Sequence, residues 1–167
     1  MKRLILVSLL VIISCKTESK LKSNAINNST TFYFFRHAEK EFDGTHNPDL
    51  SIAGKKRAQN YGTYFKDIKI DAIYTTDFKR TKNTIQPIAE NKKLEPIIYN
   101  PSQINYTDFV SEHKNQTLLI VGHSNTTPDF ANKIIGKMTY DQIDENNFSN
   151  IYKVTIINSK IISELLK

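Results

Sequence analysis

Two short apolar runs set the limits on what this chain can become. Thr31–Phe35 (TFYFF, aromatic with a β-branched start) and Thr117–Val121 (TLLIV) are continuous apolar runs that leave no alternate polar position to face water. A strand of that kind needs cover on both faces, which helices supply in a mostly parallel sheet. The intervening sequence provides them. Ser51 offers an N-cap, and Gly54, Ala58, Tyr61 and Phe65 fall on one helical face. Ile70–Thr75 reads as a second strand. Asp77 then offers a cap for a helix that turns Ile85, Ile88 and Ala89 inward, with Pro87 inside it. Pro96–Tyr99 suggests a further strand, Ile104–His113 a short helix, and the segment after Gly122 a helix holding Phe130, Ile134 and Ile135. Tyr152–Ile157 and Lys160–Leu165, separated by Asn158-Ser159, read as a closing β-hairpin. The expectation is a three-layer α/β/α sandwich with a mostly parallel central sheet and a C-terminal β-hairpin.

Sheets of this type bind ligands beyond the carboxyl ends of their strands. That rule selects Arg36-His37, Lys79-Arg80 and His123. The chain has four arginines against nineteen lysines, so arginine is scarce. Such a composition keeps arginine where a planar fork must grip phosphate or carboxylate. Arg36 and Arg80 fit that role, whereas Arg57, inside the first helix, reads as a surface residue. A neutral imidazole at His37 can attack phosphorus and divide one difficult transfer into two. Positioning and charge neutralisation supply most of what phosphoryl transfer needs. His123, and a helix opening at Ser124-Asn125, would add further donors. A metal site on His37, His123 and Glu39 is the rival reading, but two arginines aimed into it would repel the cation. The cluster favours an anion, with no metal and no cofactor.

The ends of the chain carry a different message. Met1-Lys2-Arg3 is basic, Leu4–Ile13 is apolar apart from Ser8, and Ile12-Ile13-Ser14-Cys15 resembles a bacterial lipobox. The apolar run is shorter than the about 20 residues a spanning helix needs, and matches a secretory signal instead. Residues 1–15 are read as a lipoprotein signal ending at Cys15, the lipidated residue and the chain's single cysteine, which excludes disulfides. Residues 16–30 (KTESKLKSNAINNST) are polar and read as a flexible tether, leaving 31–167 as the folded domain. The formal charge of +6 falls to +4 when Lys2 and Arg3 leave with the signal. A mild lysine excess of this size, without a dense basic run, argues against nucleic acid as a partner. An extracytoplasmic protein, lipid-anchored to the cell membrane or outer membrane, is expected.

Four segments in order carry a more specific message. Arg36-His37-Ala38-Glu39-Lys40 (RHAEK) resembles the RHG-type signature of the histidine phosphatase superfamily, in its phosphoglycerate-mutase-like branch. Leu50–Ala58 is similar to that family's L[ST]xxGxxQA segment, Ile73–Thr84 to its I[YW][ST]SxxxR[TA]xxT segment, and Val121–Ser124 to its VxHS segment. The resemblance implies that His37 is the phosphorylated nucleophile, that Arg36, Arg80 and His123 hold the phosphoryl oxygens, and that Ser124 joins them in binding substrate. It also implies a carboxylic acid to protonate the leaving group, for which Glu39 stands first, then Asp108 and Asp43. Ala38 takes the place of the usual glycine; a required positive φ there would cost roughly 1–2 kcal/mol.

The implied activity is metal-independent phosphomonoester hydrolysis rather than mutase chemistry, because the long inserts of mutases are missing. Among short members of the family, one type acts on phosphohistidine in cytoplasmic proteins. Another, with an RHAEK-like signature, acts on lipopolysaccharide-core sugar phosphates, which suits a small phosphorylated substrate of the envelope. The alternative is a catalytically inactive anion-binding lipoprotein of the same fold.

Overall fold

The computed structural model describes residues 29–167. The expectations at Cys15 and over residues 1–28 lie outside the described residues. Six strands, β1 (Ser29–Arg36), β2 (Ala72–Thr75), β3 (Ile97–Ile98), β4 (Thr117–Gly122), β5 (Ile151–Ile157) and β6 (Lys160–Leu166), form one sheet in the order β3-β2-β4-β1-β5-β6. β3, β2, β4 and β1 are parallel neighbours, and β5 and β6 add an antiparallel flank. Among the described residues there are four α-helices, α1 (Ile52–Tyr64), α2 (Lys79–Lys92), α3 (Tyr106–Glu112) and α4 (Thr126–Ile135).

The two apolar runs became the two central strands, and their alternation divides the core. Phe32, Phe34, Leu118 and Ile120 face one way and pack with Phe109 of α3 and Phe130 and Ile134 of α4. Tyr33, Phe35, Leu119 and Val121 face the other way, against Tyr61 and Phe65 at α1 and Ile85 and Ile88 of α2. A run with no polar position is thus the sequence of a strand wetted on neither side. Three layers follow, as expected from the alternation of strands and helices.

Several boundaries differ from the sequence reading. β1 begins at Ser29, because β5 extends to Ile157 and pairs with Ser29 and Thr30 as well. Thr30 is buried and its hydroxyl accepts a hydrogen bond from the Asn115 amide (3.0 Å). The last two residues assigned to the tether therefore belong to the sheet. Asp77 does not cap α2: the N-cap is Phe78, and the Asp77 carboxylate instead accepts from Lys82 Nζ (2.8 Å). The third strand shrinks to Ile97-Ile98 at the sheet edge, with both side chains exposed. The C-terminal hairpin forms as expected, turning on Asn158 (φ 47°) and Ser159 (φ 64°). Two successive left-handed residues make the turn whose twist suits a two-residue hairpin.

α1 is anchored to the segment after β1 by its first turn. The Ser51 amide donates to the Glu39 carbonyl (2.9 Å), and the Ser51 hydroxyl accepts from the Gly54 amide (3.1 Å). Gly54 packs so closely that a Cβ there would overlap the Glu39 carbonyl. That approach is possible only for glycine, and it fixes the backbone two residues beyond His37. Gly54→Ala should therefore destabilise the fold by about 3 kcal/mol, read as a lower urea midpoint with an unchanged slope; an unaltered midpoint would refute this packing role.

Candidate active site

The register of the parallel strands brings the site together. Arg36 lies opposite Gly122, and Thr75 opposite Val121, so β1, β4 and β2 end at one level. The residues that follow, His37, His123 and Thr76, emerge side by side, and the His37 amide donates to the Gly122 carbonyl (3.0 Å). Arg80 arrives from the first turn of α2. The four residues singled out from sequence, Arg36, His37, Arg80 and His123, form one cluster. The His37 and His123 rings lie 5.5 Å apart, centroid to centroid, edge to face.

His37 is only 3% exposed. Its Nδ1 lies 2.7 Å from the Ala38 carbonyl, which can only accept, so Nδ1 carries the proton. Nε2 is then left with its lone pair free for attack. Burial, aided by the positive charge of the neighbouring side chains, pulls the pKa of His37 down to about 3. The imidazole is therefore neutral and nucleophilic throughout the neutral range. Ala38 is buried and its φ is not positive, so alanine replaces glycine here without backbone strain. Its amide donates to Thr84 Oγ1 (2.9 Å), tying the segment after β1 to α2.

A chain of hydroxyls fixes His123. Thr81 Oγ1 donates to the Thr76 and Phe78 carbonyls (2.8 and 2.9 Å), so it accepts from the Thr76 hydroxyl (3.1 Å). Thr76 Oγ1 in turn accepts from His123 Nε2 (3.1 Å). Nδ1 of His123 is left as the acceptor facing Arg80 NH2 (3.4 Å). Burial, then the charges of Arg80 and Arg36, lowers the pKa of His123 to about 4. This pair of threonines was not singled out from the sequence.

The two guanidinium groups differ in their support. Arg36 is 3% exposed and donates from NH1 to the carbonyls of Asp144, Glu145 and Asn147 (3.2, 2.9 and 3.2 Å). It also lies over the Phe148 ring, 4.2 Å from its centroid. Arg80 lies over Phe78 (4.3 Å) and, among the described residues, has no carboxylate partner. Burial and the proximity of Arg36 hold its pKa below the usual guanidinium value. The Nε atoms of both arginines are buried without a hydrogen-bond partner. Two nearby cations with unspent donors create a strong demand for an anion. Among the described residues, no group of three or more His, Cys, Asp and Glu is placed to hold a metal ion.

The proton donor suggested first does not sit in this cluster. Glu39 is clamped by Arg57, whose Nε lies 3.0 and 2.9 Å from the two carboxylate oxygens and whose NH2 lies 2.7 Å from Oε1. The Arg57 hydrogen bonds hold its pKa below the ordinary carboxylate value, the reverse of what a proton donor needs. Arg57 is thus half of a structural ion pair rather than a solvated surface charge. Asp43 is exposed and binds the amide and hydroxyl of Thr45 (2.9 and 2.8 Å). Asp108 is exposed in the first turn of α3. Ser124 does border the cluster, and its hydroxyl donates to Glu145 Oε1 (2.8 Å). Glu145 was missed because it lies 109 residues beyond Arg36, in the aperiodic polar stretch Asp141–Asn150. α4 starts at Thr126, with Asn125 at its N-cap, slightly later than expected.

The depressed histidines make stability depend on pH with a definite sign. Both bind protons more readily unfolded, near 6.5, than folded, so the unfolded state gains protons first as pH falls. Stability should be undiminished above about pH 6.5 and decline towards the folded values, near 3 and 4. The urea midpoint should therefore be lower at pH 5 than at pH 7.5, and the difference should shrink in His37→Gln and His123→Gln. An equal difference in both variants would contradict this account.

Comparison with known proteins agrees with the geometry. The model of the histidine phosphatase superfamily (branch 1) matches residues 32–102, which contain Arg36, His37 and Arg80. Phosphoserine phosphatase 1 of Hydrogenobacter thermophilus (strain DSM 6534 / IAM 12695 / TK-6) is 41% identical over 68 residues; the match spans 37% of this chain and only 32% of that relative. Among solved structures, the protein histidine phosphatase SixA complexed with tungstate aligns with a TM-score of 0.62 at 12% identity, covering 82% of this chain and 94% of that one. Phosphoglycerate mutase from Bacillus anthracis str. Sterne aligns with a TM-score of 0.63 at 14% identity, covering 83% and 93%. At such identities the structural matches speak for the fold, which is phosphoglycerate-mutase-like. The chain is thus similar to the histidine phosphatase superfamily (branch 1) over residues 32–102, and it shares the phosphoglycerate-mutase-like fold of the solved structures.

Proposed function

We propose that this protein is a metal-independent phosphomonoester hydrolase that works through a phosphohistidine intermediate on His37. The observation that carries the reading is a neutral His37, its Nδ1 spent on the Ala38 carbonyl, facing two guanidinium groups with unsatisfied donors. Arg36 and Arg80 would hold the phosphoryl oxygens and offset the charge of the transition state. His37 Nε2 would form a bond to phosphorus as the ester P–O bond breaks. Water would then attack phosphorus and return the electron pair to Nε2, releasing phosphate. His123, already oriented by Thr76, would take up a proton from solvent as the anion arrives and hold a phosphoryl oxygen by a hydrogen bond from Nδ1–H.

A groove of about 510 Å³ opens beside His123, lined by Thr76, Phe78, Tyr99, Pro101 and Gln103 among others. It offers a mixed polar and aromatic surface for a leaving group the size of a sugar or amino acid. A small phosphorylated compound of the cell envelope suits both the groove and the lipobox-like Cys15. In this reading the signal brings the domain outside the cytoplasm and the acylated Cys15 anchors it to the membrane.

Two measurements test these assignments. Turnover of 4-nitrophenyl phosphate should persist in EDTA and vanish in His37→Ala, with acid-labile phosphate recovered on the wild-type chain. Loss of activity in EDTA, or full activity in His37→Ala, would overturn the mechanism. A folded wild type that binds phosphate and turns nothing over would favour the anion-binding module. For localisation, cells expressing the full chain should incorporate palmitate into the wild type and not into Cys15→Ser; label on both, or on neither, would remove the anchor.

A further inference from the structure

The segment between α4 and β5 places one carboxylate where a phosphoryl group is expected. Glu145 Oε2 accepts from Arg36 NH2 (2.8 Å) and Oε1 accepts from the Ser124 hydroxyl (2.8 Å). These are two of the donors assigned above to the phosphoryl oxygens. The side chain itself is 76% exposed, so nothing packs it in place. Its backbone, by contrast, is well held. The Glu145 carbonyl and its neighbours at Asp144 and Asn147 accept from Arg36, Phe148 lies under the same guanidinium, and the Phe148 carbonyl accepts from Tyr61 (2.7 Å). A fixed backbone bearing a free carboxylate can change its contacts without moving the chain.

We propose that Glu145 is the acid–base residue of this site, holding Arg36 and Ser124 until a phosphoryl group takes both and then carrying the proton to the leaving oxygen. The assignment rests on the phosphatase reading above. It fills the role that Glu39, clamped by Arg57, cannot, and that Asp43 and Asp108 show no contact with the cluster to fill.

The proton balance follows from the exchange of partners. At rest, the hydrogen bond from Ser124 and then the charge of Arg36 keep Glu145 ionised. A dianionic phosphoryl group that binds Arg36 and Ser124 removes both supports and brings a like charge beside the carboxylate, which raises its proton affinity. Glu145 takes up a proton from solvent. As His37 Nε2 bonds to phosphorus and the P–O bond breaks, that proton passes to the leaving oxygen, which departs as a neutral alcohol. The restored carboxylate then accepts a proton from the attacking water while the N–P bond breaks, and on product release it gives that proton up to solvent and returns, ionised, to Arg36 and Ser124.

Leaving-group dependence tests this. Purified full chain, wild type, Glu145→Gln and Glu39→Gln, is assayed with 4-nitrophenyl phosphate and with an alkyl phosphate. Glu145→Gln should lose about hundredfold or more in alkyl-phosphate kcat/KM, since a poor leaving group needs the acid. It should keep the aryl-phosphate kcat/KM, which the phosphorylation of His37 alone sets, and acid-labile phosphate on His37, which also shows that the variant is folded. Glu39→Gln should keep the wild-type ratio of the two rates. An unchanged ratio of kcat/KM in Glu145→Gln, or an equal loss of kcat/KM on both substrates, overturns the assignment while leaving the phosphatase reading intact. A wild type that turns over neither substrate and captures no phosphate removes both.

Discussion

The cluster of Arg36, His37, Arg80 and His123 depends on three parallel strands ending at one level. Peptide hydrogen bonds between β1 and β4 set Arg36 against Gly122, and those between β4 and β2 set Val121 against Thr75. A slip of one residue would turn every side chain of β1 to the opposite face of the sheet. Phe32 and Phe34 would then be forced among the partners of Tyr33 and Phe35, at the cost of the whole core. The energy that fixes the register is thus spread over buried aromatic rings. The benefit is collected at His37 and His123, whose own interactions are too few to hold them in place.

Burial also prepares these groups chemically. A histidine in water divides its time between charged and neutral forms near neutral pH. Enclosure beside two guanidinium groups makes the neutral form of His37 the stable one, and the Ala38 carbonyl selects the tautomer. On the other ring, Thr81, Thr76 and His123 form a one-way sequence of donors whose direction is set by carbonyls that can only accept. The cluster is consequently oriented by the fold itself, and an anion bound there would meet donors that need little reorganisation.

Much of this was legible in the sequence, for identifiable reasons. TFYFF and TLLIV announce doubly covered strands because burial on both faces removes the need for a polar alternation. Scarce arginines at strand ends mark an anion site because a fork has no cheaper substitute. The misreadings have a common cause. Asp77 looked like a helix cap, yet Phe78 takes that position and turns its ring to Arg80 and His123. Glu39 sits two residues from His37, but Ser51 and Gly54 hold its backbone while Arg57 claims its carboxylate. Proximity along the chain says little about which way a side chain points. Glu145 shows the converse: it meets Arg36 across 109 residues of chain, within a stretch that has no period to read.

The direction of β1 has a consequence for orientation. Ser29 is where the described chain enters the sheet, and Arg36 is where the same strand delivers the cluster. An eight-residue strand rising about 3.3 Å per residue separates these two points by roughly 23 Å. Whatever precedes Ser29 is attached at the pole of the domain opposite the pocket. A chain held to any surface by that end would turn its mouth outward, towards diffusing solutes, and its back to the support.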